Sequence, residues 1–566
     1  MTKFQDMVYQ RPDFEQEIKD AQDLLGKLGG ARDEAAFFEA LLALDSQGRR
    51  LATQNTLCQI RHTIDTRDEF YTKEQNIWDE MGPHLQQVQV QVAKAVLDSP
   101  FKEQVAKRYN PHLLEKMAVS LKTFTPEIIE DLVEENKLVS TYEKLLASAQ
   151  IEFDGKTLNL SGMGPYQESA SRDTRKAANA AFWGWLANQQ DTLDELYDKL
   201  VALRHRIGRK LGHDSFIPVA YARMGRTDWT PQDAQVYRQQ ILEHVVPLAQ
   251  KLYREQSRRI GIEDMKNYDY YLNFLSGNPK PQGDEDYLVG HARAMYRELS
   301  PETDAFFQVM VNQNLMDLTT KPGKAGGGYM TFLPDYQVPF IFSNFNGTSG
   351  DVDVLTHEAG HAFQGWLQRD VELMSIAEYT SEVAEIHSMS MEFFTHPWME
   401  GFFGPDTEKY YHAHVADALQ FLPYGASVDE FQEWVYLNPQ ATPAQRRAQF
   451  RQIEKKYMPH IDYDGLAYLE NGGRWQRQAH IYFAPFYYLD YTLAQVCALQ
   501  YFTWSMKDKQ AAWQSYLTLC LQSGRLPFKQ LVPQAGLKSP FEPGTIAQIT
   551  PALEQYMDGL DKRKIQ

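Results

Sequence analysis

Apolar residues recur at three- and four-residue spacing through most of the chain, and the stretches that break this rhythm are few. From about Phe14 to Ala149, segments such as EAAFFEALLAL and LLEKMAVSLKTF put their apolar residues on one helical face. QIEFDGKTLNLSG departs from the pattern. Its apolar residues alternate on either side of Asp154 and Gly155, which predicts a two-residue hairpin. That hairpin marks a seam between an N-terminal helical region, residues 1–150, and a second region, residues 151–566. Helical spacing resumes from Arg172 to about Leu315, with one loop around SGNPKPQGDED. KPGKAGGGYMTFLPDYQVPFIFSNFNGTSGD then supplies glycines, prolines and short aromatic or β-branched runs, predicting a small sheet over about 326–346. From about Val352 the helical rhythm continues to the end. The fold class is therefore mainly α, with a small sheet directly before one unusual helix.

That helix is DVDVLTHEAGHAFQGWLQ. His357 and His361 are four apart, so their imidazoles stack on one side and can converge on one ion. With His357 at zero, His361 projects at about 40° and Glu358 at about 100°. Val352, Leu355, Ala359, Ala362, Phe363 and Trp366 all fall between about 140° and 240°, so the apolar stripe faces away from the chemistry. Gly360 and Gly365 are expected to leave room for a metal and a substrate. Thr348, Ser349 and Asp351 are candidate N-caps.

A zinc hydrolase needs a third protein ligand and one position left for water. The segment Ile376 to Phe394 offers Glu378, Glu382, Glu385 and Glu392 on one helical face, with Met389 among them. Stacked carboxylates repel unless a cation sits beside them. Spacing alone does not choose between Glu382 and Glu385.

Composition narrows the field. The 566 residues are 43% hydrophobic and 23% charged, an ordinary globular balance. A net charge of −18 argues against nucleic-acid binding, which needs clustered lysine and arginine. Cys58, Cys497 and Cys520 are odd in number and scattered, so neither a disulfide framework nor a thiolate metal site is expected. The N-terminus lacks the apolar core of a signal peptide, and no run approaches 18 apolar residues. A soluble cytoplasmic protein with no membrane partner is the expectation.

HEAGHAF followed by SEVAEIHSMSMEFF resembles the oligoendopeptidase F branch of the thimet-oligopeptidase-like zinc peptidases, close to its Pz-peptidase-like members. FSNFNGTSGDVDVL and MGPYQESASRDTRKAANAAFWGWL are similar to the same family. The resemblance runs from about Met163 to the C-terminus, and the first 150 residues share only their helical character. It implies a third ligand about 28 residues after the first histidine and a second glutamate seven further on, which are Glu385 and Glu392 here. The implied metal set is His357, His361 and Glu385 around one Zn2+, with Glu358 as general base.

QAHIYFAPFYYLDYTLAQV carries His480, Tyr482, Tyr487, Tyr488 and Tyr491. Taken as one helix, His480, Tyr487, Tyr488 and Tyr491 share a broad face, and such a stripe is more often core. The resemblance implies instead a histidine and tyrosines that reach over the zinc to the substrate carbonyl, here His480, Tyr488 and Tyr491. VPFIFSNFNG is a candidate exposed edge for pairing with an extended peptide. His412 and His414 diverge on a helix and are ordinary histidines on this view. Gly326 to Gly328 lack the spacing of a phosphate cradle.

The function expected is a zinc-dependent oligoendopeptidase acting on internal bonds of short unstructured peptides, of roughly 5 to 20 residues. The resemblance also implies a zincin-type fold with a deep substrate channel between two helical halves. The alternatives are an exopeptidase such as a dipeptidyl carboxypeptidase, or a non-catalytic helical binding protein.

Overall fold

The computed structural model describes residues 2–565. The chain is an assembly of helices around two small sheets. The N-terminal helices start where an aspartate can cap them. Asp13, Asp33 and Asp68 accept hydrogen bonds from the backbone N–H of Gln16, Ala36 and Tyr71, opening helices Phe14–Gly29, Glu34–Ile64 and Glu69–Asp98. Among the described residues no helix is long and apolar enough to cross a membrane.

The first sheet is the hairpin of β1 (Ile151–Phe153) and β2 (Lys156–Leu158), paired Ile151 to Leu158. Its turn needs positive φ at both central residues, and Asp154 and Gly155 adopt 50° and 70°. The hairpin does not divide the core. Leu57, Ile60, Phe124 and Tyr142 lie in the same continuous apolar cluster as Val352, Leu355 and Phe363 of the HExxH helix.

The second sheet has three strands, β3 (Met316–Thr319), β4 (Tyr329–Leu333) and β5 (Val338–Phe345), in the order β3-β5-β4. It starts earlier than the sequence pattern predicts. β3 is only four residues long and slips register between Asp317 and Thr319, so it has no alternation to read. β4 and β5 are antiparallel, while β3 runs parallel to β5. The expected edge strand is therefore wrong. VPFIFSNF is the central strand, buried along its length except at Asn344, and β4 holds the outer position. The Glu34–Ile64 helix braces this part of the sheet: the Thr63 and Tyr329 hydroxyls lie 2.6 Å apart, and Ala325 N–H donates to the Thr63 carbonyl.

Candidate metal centre and active site

The HExxH helix spans Gly350–Leu367 and packs on β4, β5 and the Ser381–Phe394 helix. Its start differs from the expected side-chain cap. Ser349 occupies the cap position without a side-chain bond, and the Asp351 carboxylate turns back to accept the N–H groups of Asn346 and Gly347, both at 2.8 Å. The glycines also serve another purpose than expected. A Cβ on Gly360 would come within 2.6 Å of the His387 carbonyl and the Ser388 Cα, so its absence lets the two ligand-bearing helices touch. Gly365 permits a looser approach of the Phe332 ring of β4, which a Cβ would meet at 3.3 Å.

That contact delivers a carboxylate to the histidines. His357 Nε2 and His361 Nε2 stand 3.2 and 3.3 Å from Glu385 Oε2, and the three donor atoms lie within 4.8 Å of one another. Glu382 points elsewhere. It is buried and accepts a hydrogen bond from Trp229 Nε1 at 2.9 Å, with the Arg226 guanidinium close by. Glu378 sits apart as well, its backbone carbonyl accepting from Lys116 Nζ.

Each member of the cluster is held from outside. Glu385 accepts Tyr487 Oη on Oε1, and Ser388 Oγ on Oε2 at 3.0 Å. His357 Nδ1–H donates to Glu392 at 2.6 Å, and the other Glu392 oxygen meets His414 Nε2 at 2.8 Å. His414 Nδ1 in turn faces His396 Nε2 at 2.8 Å. Burial by itself would raise the carboxyl of Glu385, yet the His361 and His357 rings hold it well below the usual carboxylate range. Burial would likewise lower His357, but bonds to Glu385 and Glu392 push it well above an ordinary imidazole. The negative field of two carboxylates is thus focused on the imidazole pair.

Glu358 is buried beside this cluster. Loss of water raises its pKa, and its Oε2 meets no hydrogen-bond partner. A Cβ on Gly328 would lie 3.3 Å from Glu358 Oε1 and 2.9 Å from Val354. The glycine run before β4 therefore lets the strand pass directly over the Glu358 carboxylate.

The His480 segment is not one helix. Ala479–Phe483 ends, Phe486 takes a φ of 71°, and a new helix runs Tyr488–Ser505. Phe486 is fixed in this left-handed conformation from both sides: its N–H donates to Gln432 Oε1, and its carbonyl accepts from Arg226 Nη2. The turn sends Tyr487 to Glu385. His480 Nδ1 accepts from Gln478 Nε2 at 2.9 Å, leaving Nε2–H for Tyr491 Oη at 3.0 Å. Burial lowers the His480 pKa to about 4, so the ring is neutral. Tyr488 lines the cavity beside His357 and packs on Phe421, Tyr424 and His480. Tyr482 is core, stacked on Tyr142 at 3.8 Å.

Two contributors lie outside the expected set, Tyr487 and His414. Spacing along the chain compares His414 only with its neighbour His412. His412 does point elsewhere, to Arg259 and Phe274.

A mainly helical chain that joins two imidazoles on a HExxH helix to a carboxylate from the next helix has the architecture of the HExxH metallopeptidase class. The chain belongs to peptidase family M3. Residues 4–124 match the Peptidase M3 N-terminal domain and residues 302–548 match Peptidase family M3. The solved structure of PZ peptidase A with an inhibitor is 46% identical, with a TM-score of 0.98 over 100% of both chains. An oligoendopeptidase F homologue of Lactococcus lactis subsp. lactis is 23% identical over 52% of this chain and 48% of its own. The chromosomal oligoendopeptidase F of Lactococcus lactis subsp. cremoris is 24% identical over 40% of this chain and 37% of its own. The chain thus spans about half the length, or less, of the curated relatives it matches.

Proposed function

We propose that the chain is a zinc-dependent oligoendopeptidase that cuts internal bonds of short, unstructured peptides. One observation carries this reading: His357, His361 and Glu385 converge while the buried Glu358 carboxylate beside them has an oxygen with no partner. The donor set fits zinc, since two imidazole nitrogens and one carboxylate are the ligands of a hydrolytic site with one open position. When bound, the metal supplies Lewis acidity that polarises the substrate carbonyl and makes a water acidic.

The protein groups divide the remaining work. Glu392 takes the Nδ1 proton of His357 in a hydrogen bond, so the Nε2 lone pair faces the cluster. Tyr487 fixes the orientation of Glu385 in the same way. Glu358, with one oxygen free of any partner, removes the proton of the attacking water and hands it to the leaving nitrogen. The Tyr491 hydroxyl, aligned by neutral His480, donates to the developing oxyanion, with Tyr488 shaping the cavity wall. The outer strand β4 passes beside Glu358 and suits pairing with an extended substrate, whose backbone bonds are indifferent to sequence.

A reducing compartment, the cytoplasm, suits the three buried, unpaired cysteines. Glu358→Gln tests the reading. It should keep its zinc and lose nearly all turnover on a blocked peptide, because an amide cannot accept the proton. Wild-type turnover in this variant would refute the assignment.

A further inference from the structure

The cavity beside His357 has a volume of about 380 Å³, and its wall carries carboxylates that the hydrolytic mechanism does not use. Asp417, on the long helix Thr407–Leu437, is open to the cavity and makes no hydrogen bond or ion pair with any described residue. Asp353 stands one turn before His357, and its Oδ1 accepts the Tyr410 hydroxyl at 2.7 Å. Glu168 adds a third charge, acting on both Asp353 and Asp417.

Two cations stand near this group, His414, which Glu392 also engages, and Arg259, whose Nε donates to the Asn273 carbonyl at 2.6 Å. Both draw the Asp417 carboxyl down, but the surrounding protein and the neighbouring acids outweigh them. Glu168 accepts the Asn278 amide at 3.1 Å, and the Lys280 charge draws its carboxyl down. The surrounding protein and mutual repulsion push the carboxyls of Asp417 and Glu168 up to about 7, although Asp417 keeps an open surface on the cavity side that screens it. A second polar group of the wall is unpartnered. Gln495 is 5% exposed, lines the same cavity, and its Nε2 meets no acceptor.

One side of the wall is apolar, while His357, His414, Gln478 and His480 line the remainder. Met389, Ala418, Phe421 and the Tyr488 ring flank the acids. An acidic end with apolar sides matches a side chain that has a methylene stem and a charged head. The aromatic rings add attraction for a cation. The Gln495 amide can donate to a carbonyl of the same peptide.

We propose that this cavity receives the arginine or lysine side chain of a substrate residue next to the scissile bond, and that Asp417 selects it. The proposal rests on the oligopeptidase reading above and adds a substrate class to it. Asp417 is a specificity residue here, with no part in the proton transfers.

The test uses zinc-loaded enzyme and blocked peptides of about eight residues, long enough to extend along one strand. Arginine is placed at each position flanking the cut, with citrulline as its uncharged isostere. At one position kcat/KM should favour arginine by tenfold or more, mainly through KM. Asp417→Asn should bring that ratio close to one, and Asp417→Arg should reverse the preference toward glutamate over glutamine. Melting curves confirm that both variants are folded, and the near-isosteric Asp417→Asn carries the test if the reversal variant is not.

A ratio near one at every position overturns the pocket. So does an equal preference at all positions, which marks a diffuse field, or a preference that survives in Asp417→Asn. Cleavage of neutral peptides without a positional cation preference removes the pocket alone. No cleavage of any peptide removes the oligopeptidase reading and the pocket with it.

Discussion

Glu392 bridges His357 and His414, with one carboxylate oxygen 2.6 Å from His357 Nδ1 and the other 2.8 Å from His414 Nε2. The bridge sets which nitrogen of His357 faces the ligand cluster. Partners of this kind typically contribute about 10–100-fold to metal affinity. Glu392→Ala should therefore weaken zinc binding by that factor, measured by competition with a chelator, while His414→Ala should do so less. Unchanged affinity in Glu392→Ala would reduce the bridge to a structural contact.

Glu385 and Glu382 are three residues apart and equally buried, yet they face different partners. Glu385→Ala should abolish stoichiometric zinc. Glu382→Ala should keep the metal and lower stability by about 1–3 kcal/mol, because the buried Trp229 N–H loses its acceptor. Denaturant melts and metal analysis on the pair separate the roles. Loss of zinc in Glu382→Ala alone would reverse the assignment.

Tyr487 and Tyr491 should separate kinetically. Tyr491→Phe removes a donor needed only as charge develops, so kcat should fall by about 10²–10³ with little change in KM. Tyr487→Phe removes a bond to Glu385 and should show in zinc affinity as well. Equal kinetics in Tyr491→Phe and wild type, with only a lower Tm, would make that ring core.

Asp417 gives a pH-dependent stability prediction. The protein packed around it, then the Asp353 charge, pushes its carboxyl up to about 7 in the folded chain, above the unfolded value of about 3.9, although one side stays open to the cavity. A raised carboxyl costs no stability below the unfolded value. The cost grows as pH rises from about 4 and is complete above about 7. Asp417→Asn removes it, so the gain in Tm should be larger at pH 8 than at pH 5. Water in the cavity screens the charge and keeps the effect modest. A gain that shrinks as pH rises would contradict the assignment.

Much of the site is legible in the amino-acid sequence itself. Asp154-Gly155 marks the nearby hairpin because that pairing suits two positive φ values. The HExxH helix declares its two faces through the apolar stripe. The remainder depends on contacts between distant segments. Gly360 reads as room for a metal and a substrate, yet it and Gly328 are points where another element passes too close for a Cβ. His480, Tyr487, Tyr488 and Tyr491 do come together, but through a turn at Phe486 and not along one helix, and nothing local in APFYY announces a left-handed phenylalanine. Its partners, Arg226 and Gln432, are 260 and 54 residues away. His414 is hidden for the same reason, since its partner Glu392 lies on another helix. The short β3 borrows its strand character from pairing with β5.

The most direct test of the account is product analysis by mass spectrometry on one blocked peptide, using enzyme stripped of metal and then reloaded. The account predicts intact peptide with the stripped protein, and internal fragments that return in proportion to zinc and saturate at one equivalent per chain. Full internal cleavage by the metal-free protein would contradict it.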